Sequence, residues 1–153
     1  MIKRISVILN VILIVVFAFF AYKFVVGETK AGSDGRMAVI LTTAERDSVL
    51  AEMRAMLEAT QGVVDALARD DIAAIPALVT PLGMAATEGE SLALMAKIPL
   101  DMKTLGYATH QAMDDLAALA MGGAGQADIL AATAAILNNC TTCHAGYSLV
   151  AED

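Results

Sequence analysis

The residues best suited to chemistry lie near the C-terminus, in the segment Cys140-Thr141-Thr142-Cys143-His144. This C-x-x-C-H pattern is the attachment motif of a c-type haem, in which each sulfur adds to one haem vinyl group and the histidine supplies an axial nitrogen. On a helix, thiols three residues apart lie on neighbouring faces, so both can reach one ring. The chain has only these two cysteines, and His144 is one of its two histidines. The motif therefore predicts one covalent haem c, held by Cys140 and Cys143, with His144 as an iron ligand.

Three other interpretations of the motif are weaker. A thioredoxin-like pair is expected beside a βαβ pattern, and the sequence shows no strand pattern. A zinc site needs about four ligands, so it would need both cysteines, His144 and the distant His110. A disulfide across C-x-x-C would close a very small loop and stabilise little. Haem attachment is the interpretation that the residue types favour.

The composition and charge describe a helical, acidic chain with a very apolar part. The chain has 153 residues, of which 58% are hydrophobic, and a formal net charge of −7. This length allows one domain of ordinary size plus an appendage. All 17 acidic residues lie at Glu28 or beyond. Such an acidic surface makes nucleic acid an unfavourable partner and suits a basic protein partner.

The N-terminal segment, residues 1–27, is predicted to be a transmembrane anchor. Ile5 to Val26 is a nearly continuous apolar run, and as a helix it would extend roughly 33 Å, enough to cross a bilayer core. Lys3 and Arg4 precede the run. The positive-inside rule then leaves the N-terminus in the cytoplasm and exports the rest of the chain.

A cleaved signal peptide is the alternative for this segment. Its apolar core normally has about 7 to 15 residues and ends at an A-x-A-like site. The run here is longer, and Val25-Val26-Gly27 is only a weak match to such a site. We therefore expect an uncleaved, single-pass protein of a bacterial inner membrane with its main domain in the periplasm, the side on which haem c is attached.

Beyond the anchor, residues 28–41 are predicted to be a flexible linker because of their glycines and other turn residues. Thr42 to Glu45 has the form of a capping box and opens a helix. The domain 42–153 is predicted to be all-α, an antiparallel four-helix bundle. Its helices are expected at about Thr43–Arg69, Asp71–Ala85, Pro99–Met121 and Gln126–Ser148, with a kink or early end caused by Pro76 and Pro81.

From about Thr43 to Ser148 the chain resembles the cytochrome c prime family, the class II c-type cytochromes. The resemblance is carried by C-x-x-C-H at the end of the last helix and by Tyr147 three residues later. It implies a four-helix bundle that is commonly dimeric and usually periplasmic, so a homodimer is possible. It also implies that Cys140 and Cys143 hold the haem, that His144 is the proximal iron ligand and that Tyr147 lies beside it.

The same resemblance implies roles for residues of the first bundle helix. Arg46 matches an arginine near a haem propionate, and Leu50 matches the position over the open haem face. An apolar residue there would leave the iron five-coordinate. Met53 lies about one turn away and is the candidate sixth ligand, although core packing is the commoner role of such a methionine. His110 is a further candidate, with a hydrogen-bonded core position as the commoner alternative.

These residues predict a membrane-anchored periplasmic c-type cytochrome that carries electrons to or from a membrane-bound protein redox partner. An anchor raises the effective concentration of a carrier near such a partner. One alternative is a five-coordinate haem protein that binds nitric oxide or carbon monoxide. Another is a haem-bearing accessory subunit of a larger membrane redox complex, in which Asn10 could hydrogen-bond across helices. An enzyme is not expected, because no carboxylate pair, Ser-His-Asp set or phosphate loop stands out.

Overall fold

The computed structural model describes residues 2–152, with side-chain surroundings from residue 5 onward. In this range the chain forms six α-helices, several short 3-10 turns and one small sheet. The helices are α1 (Ile2–Val26), α2 (Thr43–Ala68), α3 (Ile75–Val79), α4 (Leu92–Lys97), α5 (Leu100–Met121) and α6 (Gln126–Gly146). The strands are β1 (Thr29–Ala31), β2 (Met37–Leu41) and β3 (Tyr147–Ala151). The predominance of helix was predicted, whereas the sheet was not.

Helix α1 has the length and composition of a membrane span. Its segment Ile5–Val26 reaches a mean hydropathy of 2.7, and its side chains are not buried by the rest of the protein. A helix of this kind is stable in a bilayer because all its central backbone groups are hydrogen-bonded within the helix. The predicted apolar N-terminal helix is therefore present.

Helix α2 begins at the predicted capping box. The Glu45 N–H donates to Thr42 Oγ1 at 3.3 Å, and the Thr42 N–H donates to Glu45 Oε2 at 2.8 Å. This reciprocal pair satisfies two donors that a helix start otherwise leaves without partners. The helix ends at Ala68, within one residue of the predicted end.

The prediction of one helix over Asp71–Ala85 was wrong. That region contains a 3-10 turn at Ile72–Ala74, the short α3, and further 3-10 turns at Thr80–Leu82 and Met84–Thr87. Pro81 explains the break, because it has no N–H to donate to a carbonyl four residues earlier and its ring obstructs that turn.

Helix α5 agrees with its predicted range, except that Pro99 is its N-cap and Leu100 its first residue. Helix α6 begins at Gln126 as predicted but ends at Gly146, so the predicted end at Ser148 was wrong. Tyr147 and Ser148 belong instead to β3, which pairs in parallel with β2. The strand gives the backbone groups of this segment partners that a continued helix would have supplied.

Residues 28–41 were interpreted as a flexible linker, but in the structure they form β1 and β2 of the sheet. The two strands are antiparallel, with Thr29 opposite Val39, and β2 also pairs with β3, with Met37 opposite Tyr147. Val39 and Leu41 are completely buried. The apolar run of β2 therefore contributes to the core, which a solvated tether would not do.

Two apolar clusters form the interior. The first joins α2, α3, α5 and α6, and its buried members are Val63, Ala66, Ile75, Val79, Met113, Leu116, Ala117, Ala120, Ile129 and Ile136. The second lies against the sheet and consists of Val39, Leu41, Ile98 and Met102, with Cys143 and Tyr147 among the side chains at its edge. The segment that carries the cysteines thus lies beside the second, smaller cluster.

The end of α1 is fixed directly to the rest of the protein. Gly27 has φ +70, and a Cβ at this position would lie 2.3 Å from the Lys97 carbonyl oxygen, so glycine is required. The Glu28 N–H donates to that same carbonyl at 2.7 Å. Lys103 donates from Nζ to the Phe24 carbonyl at 3.0 Å and lies 3.8 Å from the centre of the Phe24 ring. These contacts join α1 to the end of α4 and the start of α5 without a free linker.

Candidate functional site

The three residues of the C-x-x-C-H motif line a single cleft between α2, α4, α5 and α6. Cys140, Cys143 and His144 form one wall, and the open space amounts to about 810 Å³ out to the mouth. The rest of the lining is largely apolar and rich in methionine. It includes Val49, Met53, Met56, Leu94, Met95, Ile98, Met102, Leu105 and Tyr107. The cleft therefore presents two thiols and an imidazole to an apolar space.

A second cleft of about 610 Å³ adjoins the first. Both clefts are lined by Met53, Met102, Cys143 and His144. The remaining lining of the second cleft comes from the sheet side and from α2, namely Arg36, Leu50, Tyr147, Ser148 and Leu149. His144 is exposed, so its imidazole is accessible from the open space.

The two halves of α6 have different surroundings, and this difference positions the motif. The first half buries Ile129, Thr133 and Ile136 in the closed apolar cluster. Beyond Ile136 the same helix has no fully buried residue, and Cys140 and Cys143 are only half-buried. The buried half anchors the helix, and the continuing half carries the thiols along the cleft wall.

The two thiols are in a poor environment for thiolate chemistry. Burial raises the pKa of Cys140 and of Cys143, and the neighbouring Cys140 raises that of Cys143 further. Reactive C-x-x-C pairs require the opposite shift, such as a helix N-terminus provides. The thiols here lie near the C-terminal end of α6, where the helix dipole disfavours negative charge. The surroundings therefore favour the neutral thiol over the thiolate at both positions.

His110 lies deep in the first cleft, but both of its ring nitrogens are already engaged. Nδ1 lies 2.9 Å from the Leu82 carbonyl oxygen, and Nε2 lies 3.2 Å from Glu52 Oε1. Because both partners are acceptors, both nitrogens must donate, which requires the charged imidazolium. The Glu52 hydrogen bond accordingly raises the pKa of His110. In this arrangement His110 has no free nitrogen for a metal.

Carboxylates gather around this ion pair at the cleft wall. Burial raises the pKa of Glu90, and the nearby Glu52 charge adds to this effect. Across the described chain, no group of three or more His, Cys, Asp or Glu side chains is arranged to hold a metal ion.

The residues singled out on α2 have different positions relative to the clefts. Met53 lines both clefts, and Leu50 lines only the second. Arg46 lines neither, and its guanidinium is paired with Asp47 at 2.7 Å on the surface. Tyr147 is half-buried in β3 and lines the second cleft. The structure thus brings Leu50, Met53 and Tyr147 near His144 and leaves Arg46 outside.

Three further residues at the clefts were missed by the sequence interpretation. Met102 lies between the two clefts, and Lys103 lines the first, where burial lowers its pKa. Arg36 lines the second cleft and donates to the carbonyls of His144 and Tyr147. Met102 was recognisable by its place in the apolar stripe of α5. No sequence pattern identified Arg36. It reaches α6 through the parallel pairing of β2 with β3, whose paired residues lie over 100 positions apart in the chain.

A c-type haem can be tested against this donor set. Two thiols three residues apart and an adjacent histidine line the same cleft, and the other walls are mostly apolar. An apolar wall is what a porphyrin ring requires, and an exposed imidazole beside the cleft is free to bind iron. The residues present therefore fit the group that the motif predicts. In comparisons with known proteins, no family model, curated protein or solved structure matched this chain.

Proposed function

We propose that the protein is a membrane-anchored periplasmic c-type cytochrome that carries electrons through one haem bound to Cys140 and Cys143. The observation that carries this proposal is the joint placement of both thiols and the His144 imidazole on one apolar cleft. When bound, the haem iron would supply one-electron exchange, and the imidazole of His144 would hold it.

The chain's own residues have three tasks in this proposal. The apolar side chains of α4 and α5, such as Leu94, Ile98 and Met102, exclude water from the cleft. The thiols hold the group by covalent bonds, so it cannot dissociate. Lys103, His110, Glu52 and Glu90 line the cleft, and the balance of their charges would help to set the potential of a redox centre beside them.

The side chain opposite His144 distinguishes an electron carrier from a gas-binding protein. Met53 shares both clefts with His144, which favours thioether ligation and a six-coordinate carrier. Leu50 shares the second cleft with His144, and if it covers the iron, the protein would instead bind nitric oxide or carbon monoxide. Met53 and Met102 both line the two clefts with His144, and we prefer Met53 because the family resemblance assigns the sixth ligand to the first helix of the bundle.

The fold and the anchor support the same proposal. The closed cluster takes side chains from α2, α3, α5 and α6, which is compatible with a four-helix bundle whose second helix is shortened. The resemblance to cytochrome c prime rests on the motif and on Tyr147 three residues after it. The contacts of Gly27 and Lys103 with neighbouring backbone would hold the domain beside the membrane, where a membrane-bound redox partner could exchange electrons with it.

Optical spectra test this function. The full chain is produced with haem attachment and purified in mild detergent, and spectra of the reduced protein are recorded with and without carbon monoxide. A low-spin reduced form that does not react with carbon monoxide is expected, and Met53→Leu should convert it to a reactive, high-spin form. Met56→Leu is the matched control, because Met56 lines only the first cleft. A wild-type protein that binds carbon monoxide readily would contradict the carrier assignment.

A further inference from the structure

Helix α6 ends at the motif, and its last carbonyl groups need partners outside the helix. The final four C=O groups of any helix lack N–H partners within it. In α6 the Tyr147 N–H still donates to the Cys143 carbonyl. The His144 carbonyl accepts from Arg36 Nη1 at 3.3 Å, and the Tyr147 carbonyl accepts from the same nitrogen at 3.2 Å. Arg36 Nη1 therefore contacts two carbonyl oxygens, that of His144 in the last turn of α6 and that of Tyr147, the first residue after the helix.

The guanidinium of Arg36 is itself held in place. Its Nε donates to Asp34 Oδ2 at 2.8 Å, and Nη2 lies 2.6 Å from the same oxygen. The Arg36 N–H also donates to Asp34 Oδ1 at 3.1 Å. These hydrogen bonds lower the pKa of Asp34, so the carboxylate stays charged. A guanidinium is planar with donors in a fixed fork, and fixing one edge on Asp34 therefore aims the other edge at α6.

The backbone around these contacts is also paired. The residue after Arg36, Met37, lies opposite Tyr147 in the parallel ladder of β2 and β3. The turn between β1 and β2 is closed by the Gly32 N–H, which donates to the Arg36 carbonyl at 2.8 Å. The imidazole of His144, by contrast, has no hydrogen-bond partner within residues 5–152. The position of its Cα, and so the space that the imidazole can reach, therefore depends on the backbone of the last turn of α6.

We propose that Arg36 is a positioning residue for His144, which fixes the last turn of α6 by donating to the carbonyls of His144 and Tyr147. The inference rests on the proposed function, in which His144 is the axial ligand. Arg36 acts through the backbone of His144. Its positive charge is also favourable at a helix C-terminus, where the dipole is negative.

The test compares Arg36→Gln with Arg46→Gln in the full-length protein in detergent. Arg36 forms an ion pair with Asp34, and Arg46 forms one with Asp47. Of the two arginines, only Arg36 donates to α6. Haem content, the spin state of the ferric spectrum and hydrogen exchange of the amides at 144–147 are measured. For Arg36→Gln we expect unchanged haem content, a new high-spin fraction and exchange of the Tyr147 amide that is about tenfold faster, as loss of a hydrogen bond to a charged group implies.

Two further variants separate positioning from a general loss of stability. Arg36→Lys keeps the positive charge but lacks the planar, fixed set of donors of a guanidinium. Its ferric spectrum should therefore lie between those of Arg36→Gln and the wild type. Asp34→Asn keeps Arg36 and frees its orientation, so it should shift spin state and exchange in the same direction by a smaller amount. Asp34→Asn also serves if Arg36→Gln does not fold.

The outcomes distinguish this inference from the proposed function. If Arg36→Gln matches Arg46→Gln in both spin state and Tyr147 amide exchange, the positioning role is overturned. A change in exchange without any change in spin state also overturns it, since His144 would then be insensitive to the helix end. A wild-type chain without haem would overturn the proposed function instead, and with it the role of Arg36 toward an axial ligand.

Discussion

The two ends of the helical domain are built from the same long helices but have opposite character. At the closed end, Val63 of α2, Met113 of α5 and Ile129 of α6 are buried to within 1% of their surface. At the cleft end, Met53 of α2 and Cys140 of α6 are only partly buried and face open space. The comparison shows that the first half of α6 packs into the closed cluster and that its second half lines the cleft.

The two ends also differ in the kind of polar groups that they contain. At the closed end the buried Thr133 hydroxyl donates to the Ile129 carbonyl of its own helix, which satisfies it locally. At the cleft end, Glu52, Glu90, Lys103 and His110 bring ionisable groups into a mostly apolar lining. Burying such groups costs free energy unless they are paired. Their concentration at one end favours that end as the site of the function that we propose.

The largest effect is expected from truncating the same residue type at each end. Met113→Ala in the closed cluster should lower the free energy of unfolding by about 3 kcal/mol, because it leaves a cavity that its packed neighbours cannot fill. Met53→Ala at the cleft should cost about 1 kcal/mol or less, since its side chain already borders open space. Denaturant unfolding of both variants in the same detergent measures the difference. Equal losses would show that the two ends are packed alike.

The ion pair of Glu52 and His110 should give the cleft end a pH-dependent stability. Because the folded pKa of His110 is raised, its contribution is fully present below the unfolded pKa of about 6.5 and is lost as pH rises through the folded value. Glu52→Gln should therefore cost about 1.5 kcal/mol near pH 6, with screening at the partly exposed Glu52 included, and clearly less near pH 9.

The measurement for this pair is thermal unfolding of Glu52→Gln and wild type across that pH range. Glu58→Gln, an exposed change on the same helix, is the control and should show no such dependence. A cost for Glu52→Gln that grows with pH would refute the assignment of a charged His110.

A smaller effect is expected at the start of α2. Thr42→Ala removes the oxygen that accepts from the Glu45 N–H and should lower the free energy of unfolding by about 1 kcal/mol. Thr42→Ser keeps the acceptor and is the control. Denaturant unfolding of both variants measures the free energy of unfolding. Similar losses for Thr42→Ala and Thr42→Ser would argue against a stabilising capping box.

The smallest effect is expected for Arg46. Its pairing with Asp47 is on the surface, and such pairs contribute about 0 to 1 kcal/mol. Arg46→Gln should leave unfolding within about 0.5 kcal/mol of wild type and should not change the reduction potential. A large shift in potential would mean that Arg46 reaches the haem after all, as the family resemblance implies.

The sequence interpretation succeeded where the determining forces are local. The start of α2 at Thr42 and the start of α6 at Gln126 follow from capping groups and glycines within a few residues. The second helix is much shorter than predicted, because the kink or early end expected from Pro76 and Pro81 is an early end: α3 stops at Val79, just before Pro81. The sheet was missed because β2 and β3 are stabilised by each other, across a separation that no local pattern reveals.

For the candidate site, too, the sequence predicted the part that depends on local spacing and missed the part that depends on tertiary contacts. The three motif residues were identifiable because their chemistry depends on spacing along one helix. Their surroundings depend on tertiary contacts, so the placement of Arg36, Met102 and Lys103 at the clefts became visible only in the folded chain. Arg46 was assigned to the site by resemblance, yet it lies outside both clefts.

The most direct test of the central claim is the mass of the intact, denatured protein. The full chain is produced in a bacterial host that attaches haem to c-type cytochromes, alongside the Cys140→Ala, Cys143→Ala double variant. We predict that the wild-type chain retains the mass of one haem after denaturation and that the double variant has the mass of the polypeptide alone. A wild-type chain without haem, from a host that matures a control cytochrome normally, would contradict the assignment of Cys140, Cys143 and His144 as a haem site.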